Sequence, residues 1–218
     1  MYELLIFDFD GTLVDTAPDI ATHANTVLKK YHFEPRSVAK VKEAIGRGVH
    51  ELLRDLGLRG DDARLEEAVL FFKKEYTRRP VIRTAPYPYV RKNLEGPLSG
   101  IKKAILTNKP QGLTCQILEQ LKLGQFFEKV IGEGAGFPCK PDPSSARFVM
   151  ETLGVRPKKT VLIGDSRVDH DTAKSAGIDF VHVTYGYDLL FRRKSVKSAG
   201  SAAEWPVLLN LRRKNERH

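Results

Sequence analysis

Two carboxylates one residue apart close the first apolar run of this chain, in "LLIFDFDGTLVDT" at residues 4–16. In a strand, side chains at i and i+2 point the same way, so Asp8 and Asp10 can address one bound group. Gly11 then lets the backbone turn sharply beside it. Asp and Gly are also ordinary turn residues, and the pair alone would establish little. A second apolar run ends the same way, because "VLIGDSRVDHD" carries Asp165 and, four residues on, Asp169. If a helix starts there, that spacing brings the two together; the competing reading has Asp165 simply cap the helix. Four carboxylates at one edge would repel one another strongly unless a positive charge sat among them. A hard divalent cation fits, since Mg2+ takes one or two carboxylates together with waters and phosphate oxygens.

Two further segments offer groups to an anion. "LTNKP" places a hydroxyl and an amide, Thr107 and Asn108, at the end of another apolar run. "CKPDP" sets Lys140 ahead of Pro141 and Pro143, whose fixed φ stiffens the loop and holds the lysine in one direction. Beside a metal, Thr107 and Lys140 would serve a phosphate.

These segments need a scaffold that brings four strand ends to one edge. Short apolar runs at 3–7, 102–107, 129–132, 160–164 and 180–184 alternate with stretches of helical period, which predicts a parallel sheet. The runs lack polar alternation, as strands covered on both faces do. Ligands bind at the carboxyl ends of strands in open α/β sheets. Leu113, Ile117 and Leu121 form one helical stripe, with Cys115 on the same helix expected as a small buried hydrophobe.

Residues 16–82 hold no convincing strand. Ile20, Ala24, Val27, Leu28 and Tyr31 mark one amphipathic helix, and Leu65, Val69, Phe72 and Tyr76 another. Between them "GRGVHELLRDLGLRG" gives a Gly-rich turn and a short helix closed by Gly57. "RRPVIRTAPYPYV" reads as a return linker. The expected organisation is a core of 1–15 and 83–218 with a helical cap at 16–82, and His23 on the first cap helix is read as packing.

At 218 residues the chain can bury a core without disulfides. It has two cysteines, and Met1 leads into the first strand without a signal pattern, so a reducing, cytoplasmic setting is expected. No apolar stretch approaches the roughly 20 residues needed to span a bilayer. The net charge of +9 concentrates beyond residue 191, where Arg192, Arg193, Lys194, Lys197, Arg212, Arg213, Lys214 and Arg217 face only Glu204 and Glu216. Without interleaved aromatics or zinc-finger spacing, this is read as a solubilising face that mildly steers anionic substrates, with no nucleic-acid partner.

In order, "DFDGT", "LTN", "CKPDP" and "GDSRVD" resemble the four motifs of the haloacid dehalogenase superfamily, and the likeness spans nearly the whole chain. "GTLVDTAPDI", "TNKP", "IGRG" and "PCKPDP" are similar to segments of phosphoglycolate phosphatases. The resemblance implies a Rossmann-like sheet with strand order 5-4-1-2-3 and an inserted α-helical cap. It implies Asp8 as nucleophile through an aspartyl-phosphate, and Asp10 as acid and base. Asp8, the Asp10 carbonyl, Asp165 and Asp169 would hold Mg2+, while Thr107 and Lys140 stabilise the phosphoryl oxygens and Asn108 adds to substrate binding. Asp10 favours phosphate-ester chemistry over carbon-halide cleavage, because dehalogenases of the superfamily lack it. In the cap, Arg47 between Gly46 and Gly48 would present its side chain or its backbone amides to a carboxylate such as that of glycolate. The implied activity is a Mg2+-dependent phosphatase on a small phosphorylated metabolite, 2-phosphoglycolate first, acting as a monomer or homodimer. Alternatives are a pyrophosphatase, a sugar-phosphate phosphatase or phosphomutase of the same fold, and, from another class, a non-catalytic phosphoacceptor or binding module.

Overall fold

Each of the five apolar runs forms a strand in the computed structural model of the protein, which describes residues 1–188, 191 and 196–211. The chain runs from β1 (Leu4–Phe7) through a short β2 (Val14–Asp15) into four helices: α1 (Ala17–Lys30), α2 (Val38–Ala44), α3 (Val49–Asp55) and α4 (Asp62–Arg78). It returns through β3 (Ala85–Pro86), followed by α5 (Val90–Glu95), β4 (Lys102–Pro110), α6 (Gln111–Gln120) and β5 (Lys129–Glu133). The rest is α7 (Ser144–Thr152), β6 (Thr160–Gly164), α8 (Arg167–Ala176), β7 (Asp179–Val183), β8 (Lys197–Ala199) and α9 (Trp205–Leu208).

The main sheet has the order β5-β4-β1-β6-β7-β8, and its strand pairs are parallel. Counting only the five expected strands, this is 5-4-1-2-3 read from the other edge. The sixth strand, β8, extends the sheet beyond β7 and has only three residues, "KSA", too few to show a period. β1 lies between β4 and β6 with all four residues buried, which explains its unbroken apolar run.

Between β1 and β4 the chain leaves the sheet and comes back through β2 and β3, which pair antiparallel through Val14 with Pro86 and Asp15 with Ala85. The stripes read on α1 and α4 are buried, from Ile20 to Tyr31 and from Leu65 to Tyr76. α1 has Pro18 in its first turn, Asp19 near its amino end and Lys29 and Lys30 at its carboxyl end, a charge order that suits the helix dipole. The Asp61 side chain caps α4 by accepting from the Arg64 amide at 2.9 Å. Asp19, fully buried, accepts from the amides of Ile82, Arg83 and Thr84 and from the Thr84 hydroxyl, tying the start of α1 to the return segment.

His23 packs as expected, stacking on Tyr76 at 4.4 Å with its Nε2 3.2 Å from the Arg79 carbonyl. Burial holds its pKa below the ordinary histidine value. Cys115 departs from expectation. α6 buries Leu113, Thr114, Ile117 and Leu118, and that face leaves Cys115 exposed. Of the basic tail, Arg192, Arg193, Lys194, Arg212, Arg213, Lys214 and Arg217, with Glu216, lie outside the described residues. Among the described residues no helix is long and apolar enough to cross a membrane.

Candidate active site

Four segments distant in sequence meet at the carboxyl edge of the sheet. Asp8 follows β1 directly, its amide donating to the Ile163 carbonyl of β6 at 2.9 Å. Its Oδ1 lies 2.8 Å from Lys140 Nζ, which also meets Asp169 Oδ1 at 2.5 Å. Asp8, Asp165 and Asp169 each offer one oxygen, and these atoms lie within 4.8 Å of one another. All three carboxylates and the lysine are buried.

The charges in this cluster do not balance. Burial, then Asp169, push the Asp8 carboxyl up to about 7 against the opposing pull of Lys140. Burial and the neighbouring Asp8 and Asp169 raise Asp165 as well. Burial works against the Lys140 charge, yet Asp169 and Asp8 outweigh it and hold the lysine above its ordinary value. One ammonium against three carboxylates leaves a buried excess of negative charge in a set of hard oxygen donors. Such a set fits a divalent cation of the Mg2+ kind.

The local fold explains why these carboxylates are available. Ser166, not Asp165, caps α8: its hydroxyl accepts from the Asp169 amide at 3.3 Å, and Asp169 Oδ2 accepts from the Ser166 amide at 3.1 Å. Asp169 therefore anchors the helix with one oxygen and meets Lys140 with the other. Asp165 is left free of capping and takes a hydrogen bond from the Tyr187 amide at 2.6 Å. The backbone there is packed against it, since a Cβ on Gly186 would fall 2.2 Å from the Asp165 Cβ.

Asp10 faces a different set of partners. Its Oδ1 accepts from the Thr16 hydroxyl at 2.6 Å, and Lys109 Nζ reaches its two oxygens at 3.2 and 3.4 Å. The side chain is not one of the three carboxylates of the acidic cluster. Lys109 comes from an irregular stretch of β4, where pairing with β5 jumps from Leu106–Ile131 to Pro110–Glu133. A regular strand would alternate its side chains between two faces; this bulge lets Thr107, Asn108 and Lys109 all be buried at the site. Gly132 on β5 makes room for it, because a Cβ there would lie 2.6 Å from the Lys109 carbonyl.

Asn108 links three backbones. It donates to the Gly46 carbonyl at 2.9 Å and the Lys140 carbonyl at 3.0 Å, and accepts from the Lys140 amide at 2.7 Å. The Tyr187 hydroxyl accepts from the amides of Thr16 and Ala17 and donates to Asp15 at 2.8 Å, pinning the exit from β2 to the loop that holds Asp165.

A chamber opens over this floor. Asp8, Asp10, Thr107, Asn108, Lys109, Lys140 and Asp165 line it from the sheet side; Ile20, Ile45, Val49, Leu52, Phe72 and Tyr76 line it from the helices. Gly46 and Gly48 reach it too. Arg47, between them, does not: its guanidinium turns outward to Asp55 at 2.5 Å and is about half exposed. The structure thus gathers Asp8, Asp10, Thr107, Asn108, Lys140, Asp165 and Asp169 and leaves the Arg47 side chain outside. Lys109, Thr16 and Tyr187, none of them singled out in the sequence, join them, as does Tyr76, read there only as part of a packing stripe.

Comparison with known proteins gives the family. The family model described as haloacid dehalogenase-like hydrolase matches residues 5–183. A phosphoglycolate phosphatase of Pseudomonas putida is 36% identical over 192 residues, 85% of this chain and 70% of that protein. Phosphoglycolate phosphatase 1 of Pseudomonas aeruginosa is 34% identical over 193 residues, again 85% of this chain and 70% of its own. The crystal structure of a "predicted phosphoglycolate phosphatase" from Haemophilus somnus superposes with a TM-score of 0.88 at 26% identity, covering 95% of this chain and 98% of that one. The chain therefore belongs to the haloacid dehalogenase-like hydrolases and, among them, is similar to phosphoglycolate phosphatases, which are phosphoric monoester hydrolases.

Proposed function

We propose that this chain is a Mg2+-dependent phosphatase of the cytoplasm that hydrolyses a small phosphorylated metabolite, 2-phosphoglycolate first, with residues 16–82 as the cap over the site. The observation that carries the reading is the separate partnering of the two carboxylates after β1. Asp8 sits in the acidic cluster on Lys140, whereas Asp10 turns to Thr16 and Lys109 beside the chamber. Two carboxyl groups in different environments suit two roles.

Asp8, Asp165 and Asp169, with the Asp10 carbonyl, would hold Mg2+; when bound, the metal neutralises the nucleophile and the phosphoryl oxygens so that two anions can meet. Asp8 attacks phosphorus and forms the aspartyl-phosphate while the ester oxygen leaves. Asp10 gives that oxygen its proton, then takes one from the water that attacks the aspartyl-phosphate, and phosphate departs with Asp8 restored. Lys140 orients Asp8 and, with the Thr107 hydroxyl, stabilises the phosphoryl oxygens; the Asn108 bonds fix the backbone of Lys140.

The chamber supports a small leaving group over a sugar. Its helical face is largely apolar, through Ile20, Ile45, Val49, Leu52 and Phe72, and would leave a sugar's several hydroxyls without partners. Hydrolysis of p-nitrophenyl phosphate and 2-phosphoglycolate by the wild type and Asp8→Asn, with and without chelator, tests the reading. Turnover should need both the metal and Asp8, and either an active Asp8→Asn protein or chelator-resistant turnover would refute it.

A further inference from the structure

Two lysines line the chamber, and they are not equivalent. Lys140 is committed to two carboxylates, Asp8 and Asp169. Lys109 has one, Asp10, and its Nζ also lies 3.4 Å from the Tyr76 hydroxyl and 4.5 Å from the centre of the Tyr76 ring. Its side chain is only 4% exposed. A lysine this buried in the chamber wall is costly unless it has a task or partners, and at rest Asp10 and Tyr76 supply the partners.

Its place suggests the task. Asp8 and Lys140 mark where the phosphoryl group sits, and Asp10 is the group that must reach the ester oxygen. Lys109, on Asp10 and against Tyr76 of α4, therefore stands on the leaving-group side. We propose that Lys109 determines specificity by pairing with an anionic group, a carboxylate, on the leaving group of the substrate, having rested on Asp10 and Tyr76 until then. This deepens the reading of the site as a phosphatase and gives Lys109 the task expected of Arg47, whose guanidinium is spent on Asp55.

The test compares 2-phosphoglycolate with ethyl phosphate, which keeps the two-carbon chain and has a methyl group in place of the carboxylate, and with phosphoethanolamine, which carries a cation there. A charge-assisted hydrogen bond in a buried site corresponds to roughly a tenfold to hundredfold effect. The kcat/KM ratio of 2-phosphoglycolate to ethyl phosphate should fall by about that factor in Lys109→Gln and largely return in Lys109→Arg. An unchanged ratio, including equal losses on both esters, would mean that Lys109 only holds Asp10 in place, and would overturn the proposal. Wild-type preference needs no variant to fold: 2-phosphoglycolate should exceed ethyl phosphate, with phosphoethanolamine last, and equal use of the three refutes it. Calorimetric binding of the same compounds to Asp8→Asn and Asp8→Asn/Lys109→Gln separates the two ideas. If turnover fails altogether the phosphatase reading falls, while a carboxylate preference that vanishes with Lys109 still supports this inference, and its persistence without Lys109 defeats it.

Discussion

Replacing Asp19 by alanine should destabilise the protein without touching a group that meets substrate. The carboxylate is fully buried and accepts from the Ile82 amide at 2.8 Å, the Arg83 amide at 2.9 Å, the Thr84 amide at 2.9 Å and the Thr84 hydroxyl at 2.6 Å. Truncation orphans all four donors. Those of Thr84 are buried and cost about 1–3 kcal/mol each, whereas Ile82 and Arg83 lie nearer solvent and recover part of their loss in water. A total of about 3–5 kcal/mol follows, which for a chain of this size is a fall in Tm of about 6–20 °C. Scanning calorimetry of wild type, Asp19→Ala and Asp19→Ala/Thr84→Val measures it, and the double variant should regain about 1 kcal/mol by removing the orphaned hydroxyl. A loss under about 1 kcal/mol, or no recovery in the double variant, would refute the reasoning. The same bonds overcome the opposing effect of burial and hold the Asp19 pKa below its ordinary 3.8. Its contribution is therefore present above that value and lost as pH falls through the lowered one.

Metal and pH should be linked through the acidic cluster. Asp8, pushed up to about 7, binds a proton on folding across the interval above its ordinary 3.8, so the metal-free protein loses stability as pH rises from about 4 to about 7. Lys140 is charged throughout that window in both states and does not contribute. Saturating Mg2+ should consequently raise Tm more at pH 7.5 than at pH 5.0, and equal shifts in thermal melts would contradict this. Gly186→Ala should displace Asp165 and weaken Mg2+ binding about 10–100-fold in a calorimetric titration. Gly112→Ala, where a new Cβ meets nothing within 4 Å, serves as the control, and a Gly186→Ala protein that binds Mg2+ like wild type would show that the close packing is not needed.

The parts of this molecule that the sequence reveals are those whose signal is local. A strand buried on both faces writes an unbroken apolar run, and a carboxylate at its end stands out, so Asp8, Asp10 and Asp165 are visible without coordinates. The helices α1 and α4 are long enough to show their stripes. By contrast β2, β3 and β8 have two or three residues, and α5 only six, too short for any period. Lys109 was in view in "LTNKP" but a regular strand gives no reason for three consecutive side chains to serve one site; the irregular pairing with β5 does. Thr16, Tyr76 and Tyr187 act across separations as long as 171 residues, through hydrogen bonds that leave no periodic trace. Arg47 could be placed in a Gly-rich loop, but its direction depends on Asp55, one helix further on.

The Asn108 amide has a consequence beyond holding Lys140. The same nitrogen donates to Gly46, in the helical segment, and to Lys140, in the sheet-side loop. The two attachments form an interlock: a shift of the Gly46 loop pulls on the amide that aligns the lysine backbone. The loop that holds Lys140 and the loop that carries Gly46 into the chamber thus share one side chain as their common anchor.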